Sequence, residues 1–188
     1  MGRWSRAELE SFRGEQVDDL IGSQLRLLFV GINPGLWTAA TNTHFCHPSN
    51  RFYPALHRAG VIDWVVDPET GMTESQREDL KERGLGITNL VNRATARASE
   101  LSRQELEEGR GRVVEIISSH EPSVVAVAGV TAYRVAFGKR FAQLGVQEEK
   151  VEDAELWVVP NPSGLNAHQT VDSLADWYRR VAHRAGVI

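Results

Sequence analysis

The chain has 188 residues, 41% of them apolar, and a formal net charge of −4, which is enough for one well-buried domain, short for two, and gives no global attraction to nucleic acid. Its single cysteine, Cys46, excludes an internal disulfide, a four-cysteine zinc site and a cysteine-ligated iron–sulfur cluster. The charged opening "MGRWSRAELESFRGEQVDDL" lacks the apolar core of a signal peptide and no later run reaches membrane-spanning length, so a soluble cytoplasmic protein without membrane contact is expected.

In chain order, the apolar run over 25–30 predicts a first strand, ending in the loop "GINPG" at the position where open α/β folds gather ligand-binding residues. "HPSNRFYPALHRAGV" then reads as a helix that only Pro54 resists. Thr73 and Gln76 have capping-box spacing, which makes "TESQREDLKERG" a polar surface helix ended by Gly84. "LGITNLV" is a second short strand. Ser102 and Glu105 repeat the box before "RQELEEGRGRVVEIISSH", whose Val113, Ile116 and Ile117 mark a buried face. After Pro122, "SVVAVAG" is continuously apolar, as in a strand covered on both faces, and "TAYRVAFG" suggests a short helix. "LWVVP" is a fourth strand, and the loop "NPSGLNAHQ" leads into the amphipathic helix "TVDSLADWYRRVAHRAG". The alternation predicts an α/β fold with a mostly parallel sheet and helices on both faces. No repeat, low-complexity tract or linker divides 1–188, and roughly the first 20 residues read as peripheral.

The first loop fits none of the common phosphate or metal chemistries. "GINPGLWT" has no lysine, and Pro34 removes an amide donor that a Walker-type cradle would use. Asn33 stands at the second glycine position of a dinucleotide fingerprint. The six histidines are scattered with no HExxH, so no metal is expected, and Ser163 lacks the GxSxG of a nucleophile elbow. Two loops remain, "GINPG" after the first strand and "NPSGL" after the last. In a parallel sheet both emerge at the same edge and can line one cleft. Each has an Asn-Pro step, so that Asn33 and Asn161 present amides while prolines stiffen the turn, although Asn-Pro turns also serve simple chain reversal.

Taken together, "GINPGL", "HFCHPSNRFY", "GITNLVNRATARASELS" and "NPSGLNAHQ" resemble, in order, the motifs of the mismatch-specific uracil-DNA glycosylase and thymine-DNA glycosylase family of the uracil-DNA glycosylase superfamily. The resemblance runs from Leu25 to the final helix. It implies a three-layer α/β/α sandwich around a short, mostly parallel sheet, base excision from DNA as the activity, and no cofactor. Asn33 matches the family's catalytic asparagine and would hold the attacking water, where an amide acts by positioning, not by proton abstraction. Phe45 matches the aromatic residue that stacks on the flipped base; alone it would read as core. Gly31 and Ile32 would form the pocket floor, and Asn89 matches an asparagine facing the base, its other reading being a strand-end turn residue. Leu165 matches the wedge pushed into the duplex where the base leaves, with Asn161, Ser163 and Gly164 shaping its loop.

The sequence departs from the family pattern in two places. "NAHQ" follows Leu165 where a Ser-Arg pair is expected, which leaves Asn166 or His168 as substitutes and puts strict preference for an opposite guanine in doubt. Trp37 and Thr38 replace small hydroxyl residues, and Trp37 is expected to pack under the loop. His44 and His47 are expected to make local hydrogen bonds or phosphate contacts. Arg51, Arg93, Arg97, Lys139 and Arg140 are candidate phosphate ligands or ordinary surface cations. The expectation is a monomeric, monofunctional glycosylase that removes uracil, or thymine and other damaged bases, from mismatched double-stranded DNA by base flipping, starting base excision repair in a prokaryotic-type cytoplasm and meeting the nucleoid when bound to DNA. No lysine lies in either loop to support strand cleavage through a Schiff base. The alternatives are a superfamily glycosylase acting on deaminated purines and a lesion-binding module without catalysis.

Overall fold

The computed structural model describes residues 4–188. Its core is a five-stranded sheet made of β1 (Leu27–Gly31), β2 (Leu85–Asn89), β3 (Val124–Ala128), β4 (Gly145–Val151) and β5 (Ala154–Val159), in the order β2-β1-β3-β5-β4. The first four in that order are mutually parallel and β4 pairs antiparallel with β5. β1, β2 and β3 are buried at every position, as strands covered on both faces must be.

The helices are α1 (Arg6–Ser11), α2 (Leu36–Thr41), α3 (Phe52–Ala59), α4 (Glu74–Glu82), α5 (Arg103–His120), α6 (Val130–Ala136) and α7 (Val171–Arg184). Alternate strand residues face opposite layers. Leu27 and Phe29 join Phe52, Leu56, Leu174 and Tyr178 of α3 and α7, whereas Leu28 and Val30 join Val113, Ile117 and Tyr133 of α5 and α6. This is the three-layer α/β/α sandwich with a mostly parallel sheet that was expected.

Local signals explain most of the elements. Thr73 and Ser102 cap α4 and α5 through complete capping boxes with Gln76 and Glu105. Pro54 is the third residue of α3, inside the first turn, where its missing N–H has no intrahelical partner to lose. Three elements were absent from the sequence reading: the short α1, whose Ser5 and Glu8 form a capping box, α2 and β4. α2 follows directly on the first loop, capped by Gly35. β4, "GVQEEKV", alternates exposed and half-buried residues at the sheet edge, and its charges conceal a strand pattern while protecting the edge from further pairing. Around Leu20, within the stretch read above as peripheral, the chain meets the outer edge of β2. There Leu20 and Ile87 exchange backbone bonds of 3.0 and 2.8 Å.

Candidate functional site

The strand order puts a topological switch point between β1 and β3, since the chain goes from β1 to β2 on one side and from β3 to β5 on the other. Gly129, just past β3, marks the place. A Cβ there would lie 3.6 Å from Ile32 Cδ1 and 3.8 Å from Asn161 Nδ2, so the loops after β1, β3 and β5 meet at a residue whose φ of +121° suits glycine. The two Asn-Pro loops therefore share one edge of the sheet and come together there.

The loop after β1 is laced to the chain that follows β2. The N–H groups of Leu90, Val91 and Thr95 donate to the carbonyls of Gly31, Ile32 and Pro34 at 2.9, 3.0 and 3.1 Å. Within this frame Asn33 Nδ2 donates to Thr95 Oγ1 at 2.7 Å, to Arg93 O at 2.9 Å and to Pro34 O at 3.1 Å. Two of the three are carbonyls, and the Thr95 hydroxyl gives its own proton to Arg97 O at 2.8 Å, so all three must accept. The network thus fixes which way the amide points and leaves Oδ1 on the side away from Thr95. A side chain serving only its own turn would not be tied to residues 60 and 62 positions away.

Gly31, Phe45 and Asn89 are brought together. A Cβ on Gly31 would stand 2.4 Å from Asn89 Oδ1 and 3.0 Å from Phe45 Cζ, so glycine alone fits between them. Phe45 stacks one face on Phe52 at 4.2 Å and adopts a φ of +56°, an uncommon conformation for a bulky residue. Its neighbours hold it there: the buried Tyr53 hydroxyl donates to His44 O at 2.8 Å. Ile32, by contrast, directs its side chain into the core under α5 and α6.

Asn89 is oriented by His44, which sequence reasoning noted only as a local partner. His44 Nε2 lies 2.8 Å from Asp18 O, which can only accept, so Nε2 carries the proton and Nδ1 is an acceptor. Asn89 must then offer Nδ2 to Nδ1, at 3.0 Å, which turns Oδ1 toward Gly31. Burial pushes the His44 imidazole below its ordinary pKa and keeps it neutral, against the opposing pull of the Asp18 carbonyl and the Asp19 charge. Arg112 braces the same strand end, donating to Asn89 O at 2.9 Å and Thr88 Oγ1 at 2.7 Å while pairing with Asp19.

In the loop after β5, Asn161 Oδ1 accepts from Ser163 N at 2.9 Å, and Asn166 Nδ2 donates to Asn161 O at 3.0 Å. Leu165 at the tip is 92% exposed, and His168 is exposed beside it. Trp37 meets His47 edge-on at 6.0 Å, half-buried at the loop base. Buried His44 has no route to a phosphate. Of the basic candidates, Arg51 turns inward on the loop, Arg93 pairs with Glu105 and Lys139 with Glu149, both at 2.8 Å, and Arg140 lies over Phe141. Among the described residues no cluster of His, Cys, Asp or Glu has the makings of a metal site. Surface cavities of about 640 and 460 Å³ lie elsewhere, between α6 and β4 and between α3 and α7. Thr95, Gly129 and Asp18 were missed, since each acts through a contact distant in sequence, and Thr95, although inside "GITNLVNRATARASELS", has no spacing that ties it to Asn33.

With this geometry in hand, comparison with known proteins gives two findings. A model of the uracil DNA glycosylase superfamily matches residues 19–183. The solution structure of a candidate uracil DNA glycosylase from Methanosarcina acetivorans superposes with a TM-score of 0.60 over 92% of this chain and 99% of that one, at 17% identity, a likeness of fold.

Proposed function

The chain belongs to the uracil DNA glycosylase superfamily, whose members are DNA glycosylases, and from that premise we propose that it is a monofunctional glycosylase of the mismatch-directed type, taking uracil out of double-stranded DNA with a water positioned by Asn33. The observation that carries this reading is the fixed Asn33 amide, whose Nδ2 is committed to Thr95 and Arg93 so that Oδ1 is left to accept, two residues along the loop from Gly31.

In the proposed reaction the target nucleotide leaves the stack and its base lies against Phe45. Asn89 Oδ1, pointed by His44, accepts from a ring N–H. Uracil and thymine carry that hydrogen at N3, whereas cytosine presents a lone pair there and is disfavoured. As the N-glycosidic bond breaks, the electron pair goes to the base and positive charge spreads over the sugar. A water donating to Asn33 Oδ1 has its lone pair free for C1′, and its proton passes to solvent. An amide is no base at neutral pH, so slow turnover is expected. Leu165, held out from the loop after β5, fills the space left by the base. Thymine, hypoxanthine and xanthine also carry a ring N–H that Asn89 Oδ1 would accept, while the opposite base would be met by the loop around Leu165.

A panel of end-labelled duplexes with uracil, thymine, hypoxanthine or xanthine opposite guanine or adenine, treated with alkali after single-turnover reaction, tests the substrate reading. The expected result is strand breakage at uracil opposite guanine ahead of every other lane. Faster breakage at hypoxanthine or xanthine would transfer the assignment to deaminated purines.

A further inference from the structure

Arg51 stands at the amino end of α3, yet its donors go to the loop after β5. Its N–H donates to Pro162 O at 3.0 Å, Nη1 to Asn166 O at 3.0 Å and Gln169 O at 2.9 Å, and Nη2 to Gly164 O at 3.2 Å. A guanidinium is a rigid planar fork, so the three loop carbonyls it reaches are held in fixed relation to one another and to α3. Ser49 supports the same loop from below. A Cβ on Gly164 would lie 2.3 Å from Ser49 Oγ and 2.7 Å from Ser49 O, which means the loop backbone rests directly on it. Ser49 is fixed in turn, its N–H and hydroxyl lying 3.1 and 2.9 Å from His47 Nδ1. Between these anchored carbonyls the Leu165 side chain projects, 92% exposed.

We propose that Arg51 is the positioning residue of the wedge: it presets the backbone of 162–169 so that Leu165 is held in its inserting position before DNA arrives. This rests on the reading of Leu165 as the wedge. Inserting an apolar side chain offsets lost stacking only to the extent that the loop need not be ordered at the same moment. The loop's own turn bonds, such as Asn166 N to Ser163 O at 2.9 Å, shape it locally but do not set its place over the sheet edge. Arg51 does. Its inward aim also removes it from phosphate binding, in contrast to what a basic residue near this edge suggests from sequence.

The test compares the full chain with Arg51→Lys, Gly164→Ala and Leu165→Ala. Lysine keeps the charge but cannot span three carbonyls, and the alanine methyl pushes the loop off Ser49, carrying with it the Gly164 carbonyl that the guanidinium holds. Two quantities are read: amide hydrogen exchange at 161–169 without DNA, and single-turnover excision of uracil from duplex and from single-stranded oligonucleotide. For Arg51→Lys and Gly164→Ala, exchange should quicken in this loop while the sheet stays protected. For Arg51→Lys, duplex excision should fall about tenfold or more and single-strand excision should stay within about twofold, matching the selectivity of Leu165→Ala. Unchanged loop exchange, or equal loss on both substrates, overturns the proposal. If Leu165→Ala spares duplex excision, the wedge reading falls, and loop exchange in Arg51→Lys still decides whether Arg51 presets the loop.

Discussion

At the residue scale, the site consists of two amides whose orientation is imposed from behind. Asn33 is set by Thr95, Arg93 and Pro34, and Asn89 is set through His44 by the Asp18 carbonyl. The second relay depends on a neutral imidazole, which gives a pH dependence with a definite sign. In the unfolded chain His44 takes up a proton near the ordinary value of about 6.5. Folded, burial holds it lower, Arg77 and Arg112 add to the depression, and Asp19 and the Asp18 carbonyl oppose it. Between the two values the unfolded state binds more protons, so stability is full above about pH 6.5 and is lost as pH falls toward the folded value. Half-exposed His47 shifts the same way, for the same desolvation, and contributes to the parent slope. Urea unfolding midpoints from pH 7.5 down to pH 5.5 should therefore decline in the parent and decline less in His44→Gln; identical profiles would remove the buried imidazole from the account.

At the scale of elements, α4, α5 and the buried strands were legible because their signals are local: Thr73 three residues before Gln76, Ser102 three before Glu105, and continuous apolar runs. β4 was not, because an edge strand exposes its charged residues and has no apolar pattern to read. The contacts of Thr95, His44 and Arg51 were hidden for another reason: each depends on where a second chain segment arrives, which no spacing in sequence encodes. α5 contains a further instance. Gly109 and Gly111 look alike in "EEGRGR", but a Cβ on Gly109 would lie 2.5 Å from Leu90 O and 2.8 Å from Leu90 C, whereas one on Gly111 meets nothing within 4 Å. Gly111→Ala should raise the unfolding free energy by about 0.5–1 kcal/mol through helix propensity. Gly109→Ala should lower it by about 1–3 kcal/mol, since the rigid backbone one residue past Asn89 must shift. Denaturant unfolding reads both, and a gain at Gly109 would show that α5 does not press on the end of β2.

At the scale of the whole molecule, the sheet order creates the site by bringing three loops to the β1–β3 switch point, with the N-terminal segment along β2 supplying Asp18 and Asp19 to its rear wall. With a net charge of −4 and Arg93 paired to Glu105, the proposed binding of DNA would draw on local fit more than on long-range attraction. Membership of the uracil DNA glycosylase superfamily supports base excision in general, and the proposed chemistry turns on one amide. The decisive measurement is single-turnover excision of uracil opposite guanine by the parent and by Asn33→Ala, with duplex binding measured alongside. The account predicts abasic sites with the parent, a fall of about a hundredfold or more in Asn33→Ala, and binding kept within about threefold. An unchanged rate in Asn33→Ala would contradict the water-holding role, and duplex binding without abasic sites in the parent would contradict the glycosylase assignment itself.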